Sequence, residues 1–151
     1  MPNANVEFNK VEDDGSFPSW TNRTEVVNFI HETMKPYHDE IKDIQSALDY
    51  AFSRAEGKGG FLMLVGRQDK LVGALLMQNT GMGGYIPENI LLFVTVSPDL
   101  RGQGVGRKLI EYCIAESDGN VKLHVEYDNP AKRLYERIGF SNKYAEMRFN
   151  K

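Results

Sequence analysis

The chain has 151 residues, 41% of them hydrophobic and 26% charged, with a formal net charge of −3. This is the size and make-up of a single globular domain, 1–151, able to bury a substantial core. The mild acidity argues against a nucleic-acid surface, no apolar run is long enough to span a bilayer, and a lone cysteine, Cys113, excludes an internal disulfide or a cysteine-based metal cluster.

Met1-Pro2-Asn3-Ala4-Asn5 lacks the apolar core of a secretory signal, so a cytoplasmic monomer or homodimer is expected. Val6 to Val11 alternates loosely and predicts a first strand. Asn22 followed by Glu25 forms a capping-box pattern. It opens a helix whose apolar face includes Val26, Val27, Phe29 and Ile30, and Pro36 stops it. From about Asp39, Ile41, Ile44, Leu48, Ala51 and Phe52 recur at helical spacing until Gly57-Lys58-Gly59-Gly60. Phe61–Val65 and Leu71–Met77 predict a hairpin turning through Gly66–Lys70. A glycine-rich loop, Asn79 to Asn89, leads into an apolar strand over Ile90–Val96. Val105, Leu109, Ile110, Cys113 and Ile114 stripe the next helix, and Val121–Tyr127 predicts another strand. Ala131, Leu134, Tyr135 and Ile138 stripe a last helix that ends at Gly139. Phe140–Phe149 has room for one or two closing strands. Strand–helix crossovers beside hairpins require a mixed sheet, an α/β (α+β) architecture.

The segment Val94-Thr95-Val96-Ser97-Pro98-Asp99-Leu100-Arg101-Gly102-Gln103-Gly104-Val105-Gly106-Arg107 passes from strand through glycine loop into helix. A helix start offers unpaired N–H groups and a partial positive charge, and glycines let a ligand approach the backbone. The pair suits a phosphate or pyrophosphate. It is no Walker loop, because Gly106 is followed by Arg107-Lys108-Leu109. Nor is it the dinucleotide fingerprint, because Gly102, Gly104 and Gly106 are evenly spaced.

The segment resembles the acetyl-CoA loop of the GNAT N-acetyltransferases, Arg/Gln-x-x-Gly-x-Gly/Ala, with Arg101, Gly104 and Gly106 on the matching positions. Asn129-Pro130-Ala131-Lys132-Arg133-Leu134-Tyr135-Glu136-Arg137-Ile138-Gly139-Phe140 resembles the family's C-terminal motif, and every diagnostic position from Ala131 to Phe140 fits. Upstream, Asn129 lies one residue closer to Ala131 than usual, which leaves open whether Asp128 or Asn129 meets the cofactor. The resemblance is specific over Ile90–Phe140 and topological before that. It implies a GNAT fold: a central, mixed, mostly antiparallel twisted sheet of six to seven strands flanked by about four helices.

The resemblance also implies acetyl-CoA as co-substrate and an amine as acceptor. The cofactor would be held by Val94, Thr95 and Val96 through their backbone, by Arg101, Gly102, Gln103, Gly104, Val105, Gly106 and Arg107, and by Asn129 and Tyr135. Tyr135 matches the family's general acid, a phenol with a pKa of about 10 that protonates the leaving thiolate. The fourth strand carries no carboxylate, since its positions are Leu91, Leu92 and Phe93. Some relatives place a Glu on the fifth strand in a Leu-Glu-Val context; here that position is His124, an imidazole able to accept a proton near neutrality. Glu88 is the next candidate base. Three scattered histidines supply no metal-ligand spacing, so no metal is expected.

The acceptor wall is expected from residues 20–52 and from the 79–89 loop, where Met82 and Tyr85 offer apolar contact. Carboxylates on the first two helices favour a small-molecule or peptide amine without negative charge. No membrane and no nucleic acid are expected as partners. A non-catalytic acyl-CoA sensor is the alternative that the bare fourth strand leaves open.

Overall fold

The computed structural model describes residues 5–151. The elements in chain order are β1 (Glu7–Val11), α1 (Arg23–Thr33), α2 (Ile41–Ala51), β2 (Gly60–Arg67), β3 (Lys70–Asn79), β4 (Asn89–Val96), a 3-10 turn (Pro98–Leu100), α3 (Val105–Glu116), β5 (Val121–Leu123) and α4 (Ala131–Ile138). The five strands form one sheet in the order β1-β2-β3-β4-β5. The first four are antiparallel neighbours, while β4 and β5 run parallel. Of the expected N-terminal reading, residues 1–4 lie outside the described part.

Local chemistry explains most boundaries. Asn22 caps α1, its Oδ1 accepting from the Glu25 N–H at 2.9 Å. The Glu25 carboxylate departs from the capping-box pattern and accepts instead from the Thr21 hydroxyl at 2.8 Å. The β2–β3 hairpin turns on Gln68 and Asp69 alone, both with positive φ (51° and 58°), the two-residue geometry whose twist suits paired strands. Gly139, at φ 124°, ends α4.

The sheet separates two apolar layers. On one side α1 and α2 bring Val26, Val27, Ile30, Ile44 and Leu48 against Leu62, Leu64, Leu76 and Phe93. On the other, α3 and α4 bring Val105, Leu109, Ile110, Cys113 and Tyr135 against Met63, Val65, Leu75, Leu91 and Val96. Alternation along β2 therefore feeds both layers, which is why that strand is buried on both faces. In β4, Ile90, Leu92 and Val94 are only half-buried, unlike the expected fully covered strand.

The sheet has five strands, where six to seven were expected. Two expectations fail for one reason, the lack of a neighbour. β5 stops at Leu123 instead of Tyr127, because its partner β4 has already turned away. Residues 141–151 form no strand, and Tyr144, Met147 and Phe149 are exposed. Among the described residues no helix is long and apolar enough to cross a membrane.

Candidate active site

The site begins where β4 and β5 part. Their parallel pairing runs through Asn89↔Val121, Ile90↔Lys122 and Leu91↔Leu123 and goes no further. On its other edge β4 stays paired with β3 up to Val96, but with a register shift: Leu76 faces Phe93 and Met77 faces Leu91, so Leu92 is the extra residue of a bulge. A bulge bends its strand and re-aims the residues beyond it. Among the described residues, no strand therefore lies against the β5-facing edge of β4 from Leu92 to Val96.

At the end of this open edge stands the glycine loop. Gly104 is the N-cap of α3 with φ 80°, and no side chain caps the helix. The N–H groups of the first turn are left without helical partners. Gly102 also has φ 80°, and a Cβ at either glycine would meet nothing within 4 Å. These two positions need glycine for their backbone conformation, and the space over them is open to a ligand. Gly106 is helical, and a Cβ there would touch Val96 and Leu134 only at ordinary contact distances of 3.8 and 3.9 Å.

The side chains around the loop are engaged by the protein itself. Gln103 donates to the Asp99 carbonyl at 3.2 Å, and Arg107 pairs with Glu111 at 2.5 Å. Arg101 donates from Nε to the Val96 carbonyl (3.2 Å) and from Nη2 to the Thr33 carbonyl (2.9 Å). Thr95, 6% exposed, donates its hydroxyl to that of Thr33 at 2.7 Å. Val94, half-buried, belongs to the α3–α4 side, whereas Thr95 faces α1. Asn129 accepts the Ala131 N–H at 3.0 Å on its side-chain carbonyl, just before α4 begins. Asp128 contributes its backbone carbonyl to the Tyr37 hydroxyl at 3.3 Å, which links the α1–α2 loop to the β5–α4 turn.

Tyr135 and His124 come to the cleft from different sides. Tyr135 lies in the α3–α4 layer, 9% exposed, its ring edge-on to Phe140 with centroids 5.9 Å apart. Burial pushes its phenol up to about 12. His124 follows the last paired residue of β5, at the vertex of the split. Its neighbours Leu123 and Val125 pack into the α3–α4 layer, so alternation turns His124 to the α1–α2 side. Its Nδ1 is 4.0 Å from a Glu146 carboxylate oxygen. Partial desolvation, with Lys122 second, lowers its pKa below the ordinary imidazole value despite Glu146. Near neutrality it is an uncharged imidazole.

Glu88 sits elsewhere. It precedes the first residue of β4, so about 25 Å of strand separates it from the glycine loop. Its carboxylate accepts from the Asn120 N–H (2.7 Å) and the Gly84 N–H (3.3 Å), and these bonds hold its pKa below the usual carboxylate range. It shares a hollow with Glu12, Glu116 and Asp118. The 79–89 loop lies at this same end, with Asn79 and Gly81 against Lys58 and Gly57. This loop, expected in the acceptor wall, thus lies beside the end of β4 that is still paired with β5.

Cys113 is fully buried and its thiol is pushed up to about 12 by burial, which leaves no thiolate for nucleophilic chemistry. His31 and His38, within the 20–52 stretch, stack edge-to-face with centroids 4.9 Å apart. Thr33, Tyr37 and Glu146 are neighbours of the cleft that the sequence did not reveal. Their partners lie 22 to 91 positions away in the chain, and no local pattern marks such a pairing.

A parallel strand pair that parts beneath an uncapped, glycine-led helix leaves space and free backbone groups for an extended ligand with a phosphate head. The sequence comparisons agree on which class of protein does so. Residues 58–142, more than half of the chain, match the model of the acetyltransferase (GNAT) domain, and the chain belongs to the GNAT acetyltransferase family. A stretch of 57 residues is 37% identical to the 5-NmdU N-acetyltransferase of Pseudomonas phage PaMx11, spanning 36% of this chain and 41% of that protein. Among solved structures, an integron cassette protein from the mobile metagenome of V. cholerae superposes with a TM-score of 0.68 at 21% identity, over 97% of this chain and 93% of that one. An aminoglycoside N-acetyltransferase in complex with CoA superposes with a TM-score of 0.65 at 11% identity, over 97% and 94%. At these identities the solved structures speak for the fold alone.

Proposed function

We propose that this acetyltransferase moves the acetyl group of acetyl-CoA to a primary amine of a small molecule or peptide, by direct attack within a ternary complex. The observation that carries the reading is the parting of β4 and β5 after Leu91↔Leu123, with His124 on one side of the opening and Tyr135 on the other. The residues present fit acetyl-CoA: the bare α3 N-terminus with Gly102 and Gly104 receives the pyrophosphate, and the free edge of Leu92–Val96 receives the amide-bearing arm. A backbone N–H of that edge polarises the thioester carbonyl.

The amine must lose its proton before it can attack. His124, uncharged near neutrality and turned to the α1–α2 side, takes that proton directly or through one water. The amine nitrogen bonds to the carbonyl carbon, the carbon–sulfur bond breaks, and the sulfur leaves with the electron pair. Tyr135 meets it. Burial makes this phenol, raised to about 12, a weaker acid than a free tyrosine, but it stays protonated throughout the working range, so its proton is in place on the sulfur side as the thiolate develops. Its burial on the cofactor side keeps that donor away from the attacking amine.

A thiol-release assay against a panel of amines tests the reading. Amine-dependent release of CoA supports it. Tight CoA binding without release for any amine would make the protein a sensor of acyl-CoA, and absence of CoA binding would end both readings.

A further inference from the structure

Three hydrogen bonds converge on Thr33, the last residue of α1. Its carbonyl accepts from Arg101 Nη2 at 2.9 Å, its hydroxyl accepts from the Thr95 hydroxyl at 2.7 Å, and the same hydroxyl donates back to the Phe29 carbonyl at 2.7 Å. The second prong of Arg101 holds the Val96 carbonyl at 3.2 Å. A planar guanidinium can reach two carbonyls of different elements at once, which a single ammonium cannot. Both carbonyls need a donor here: Thr33 ends a helix, whose last carbonyls have no partner within it, and Val96 ends a strand. Arg101 therefore joins α1, on one face of the sheet, to the entrance of the glycine loop, while Thr95 joins the same helix end to the open edge of β4.

We propose that Arg101 is a positioning residue which, with Thr33, sets the glycine loop against α1, and that it acts on the cofactor through the shape of the loop instead of as a phosphate ligand. The inference rests on the reading of this loop as the acetyl-CoA site. It makes cofactor affinity depend on α1, a helix of the opposite layer. The sign of the guanidinium charge then matters less than its two-pronged shape, and the pyrophosphate is held by the main-chain donors of Gly104 to Arg107.

Acetyl-CoA titration calorimetry on the full chain tests this, with kinetics at saturating acetyl-CoA and thermal unfolding alongside. Arg101→Lys keeps the charge and loses the fork; Arg101→Met loses both; Thr33→Val removes only the hydroxyl between α1 and Thr95. A tie predicts that Arg101→Lys and Arg101→Met raise Kd alike, by about tenfold, and that Thr33→Val raises it several-fold. For Thr33→Val, which lies outside the cofactor-binding residues, kcat at saturation stays within about twofold of the parent, a split between binding and turnover that general loss of fold would not produce. Near-normal binding by Arg101→Lys overturns the proposal, since a retained charge would then suffice, and so does unchanged binding by Thr33→Val. If Arg101→Met does not fold, the other two variants decide between these outcomes. Failure of the unsubstituted protein to bind acetyl-CoA would instead overturn the reading of the loop, and this inference with it.

Discussion

The two ends of the β4–β5 pair differ in how their polar groups are used. At the Asn89 end the strands are zipped. Asn89 donates from its backbone N–H and side-chain amide to the carbonyls of Asn120 and Asp118, and Glu88 accepts the Asn120 N–H of the same turn and the Gly84 N–H of its own loop. At the Val96 end the strands have parted, α3 starts without a side-chain cap, and two glycines hold left-handed backbone under open space. A satisfied network stabilises a fold but has nothing left for a ligand; unpartnered donors held in place by rigid neighbours are what a binding site needs. Glu88, an acidic residue at a strand end, is tied into that network by its carboxylate. Two accepted N–H bonds stabilise its ionised form and make it a weaker proton acceptor.

The contrast can be broken most severely at the open end. Gly104→Val forces a β-branched residue into φ 80° and fills the space over the helix start, so acetyl-CoA affinity should fall about 100-fold or more. Calorimetry reads this, and normal binding would show that the loop is no phosphate site. Tyr135→Phe comes next. The ring and its packing on Phe140 remain, so the unfolding midpoint should hold while kcat drops by about 100-fold. An unchanged kcat would reduce Tyr135 to a packing residue.

His124→Gln should cost less, about tenfold in kcat/KM, because water can carry the amine's proton in its place. Its signature lies in pH. A base must be uncharged to work, so activity should fall as pH drops through the His124 pKa, which lies below the ordinary imidazole value. The glutamine variant should lack that acidic limb. If the limb stays in place, the proton leaves by another route.

The smallest effects belong to the zipped end. Glu88→Gln should lower the melting temperature by a few degrees, about the effect of one weakened hydrogen-bond pair in a domain of this size, with kcat and both KM values unchanged. Deleting Gly83-Gly84, which removes one of the donors to Glu88, should likewise act on stability and leave the acceptor KM as it was. A marked loss of turnover in either variant would bring the 79–89 loop back into the acceptor site.

Features that depend on near neighbours were legible in the sequence. The cap at Asn22, the hairpin around Gln68-Asp69, the α4 stop at Gly139 and the uncapped start of α3 each rest on a few adjacent residues and their φ and hydrogen-bonding preferences. The apolar stripes likewise marked which faces of α1 to α4 would be covered, and the Gly102–Gly106 spacing marked the glycine-led start of α3. Tertiary structure decided what depends on distant partners. Periodicity continues the strand from Val121 to Tyr127, but β5 ends at Leu123 because the bulge at Leu92 takes its neighbour away. The tail after Phe140 has the composition of a strand and stays unpaired. Arg101 reads as a phosphate ligand by position, and only the arrival of Thr33, 68 positions away, gives its second nitrogen a different partner. A side chain's chemistry is written in the chain, whereas its pKa, its partner and the strand edge left free for a ligand come from groups the chain brings together only on folding.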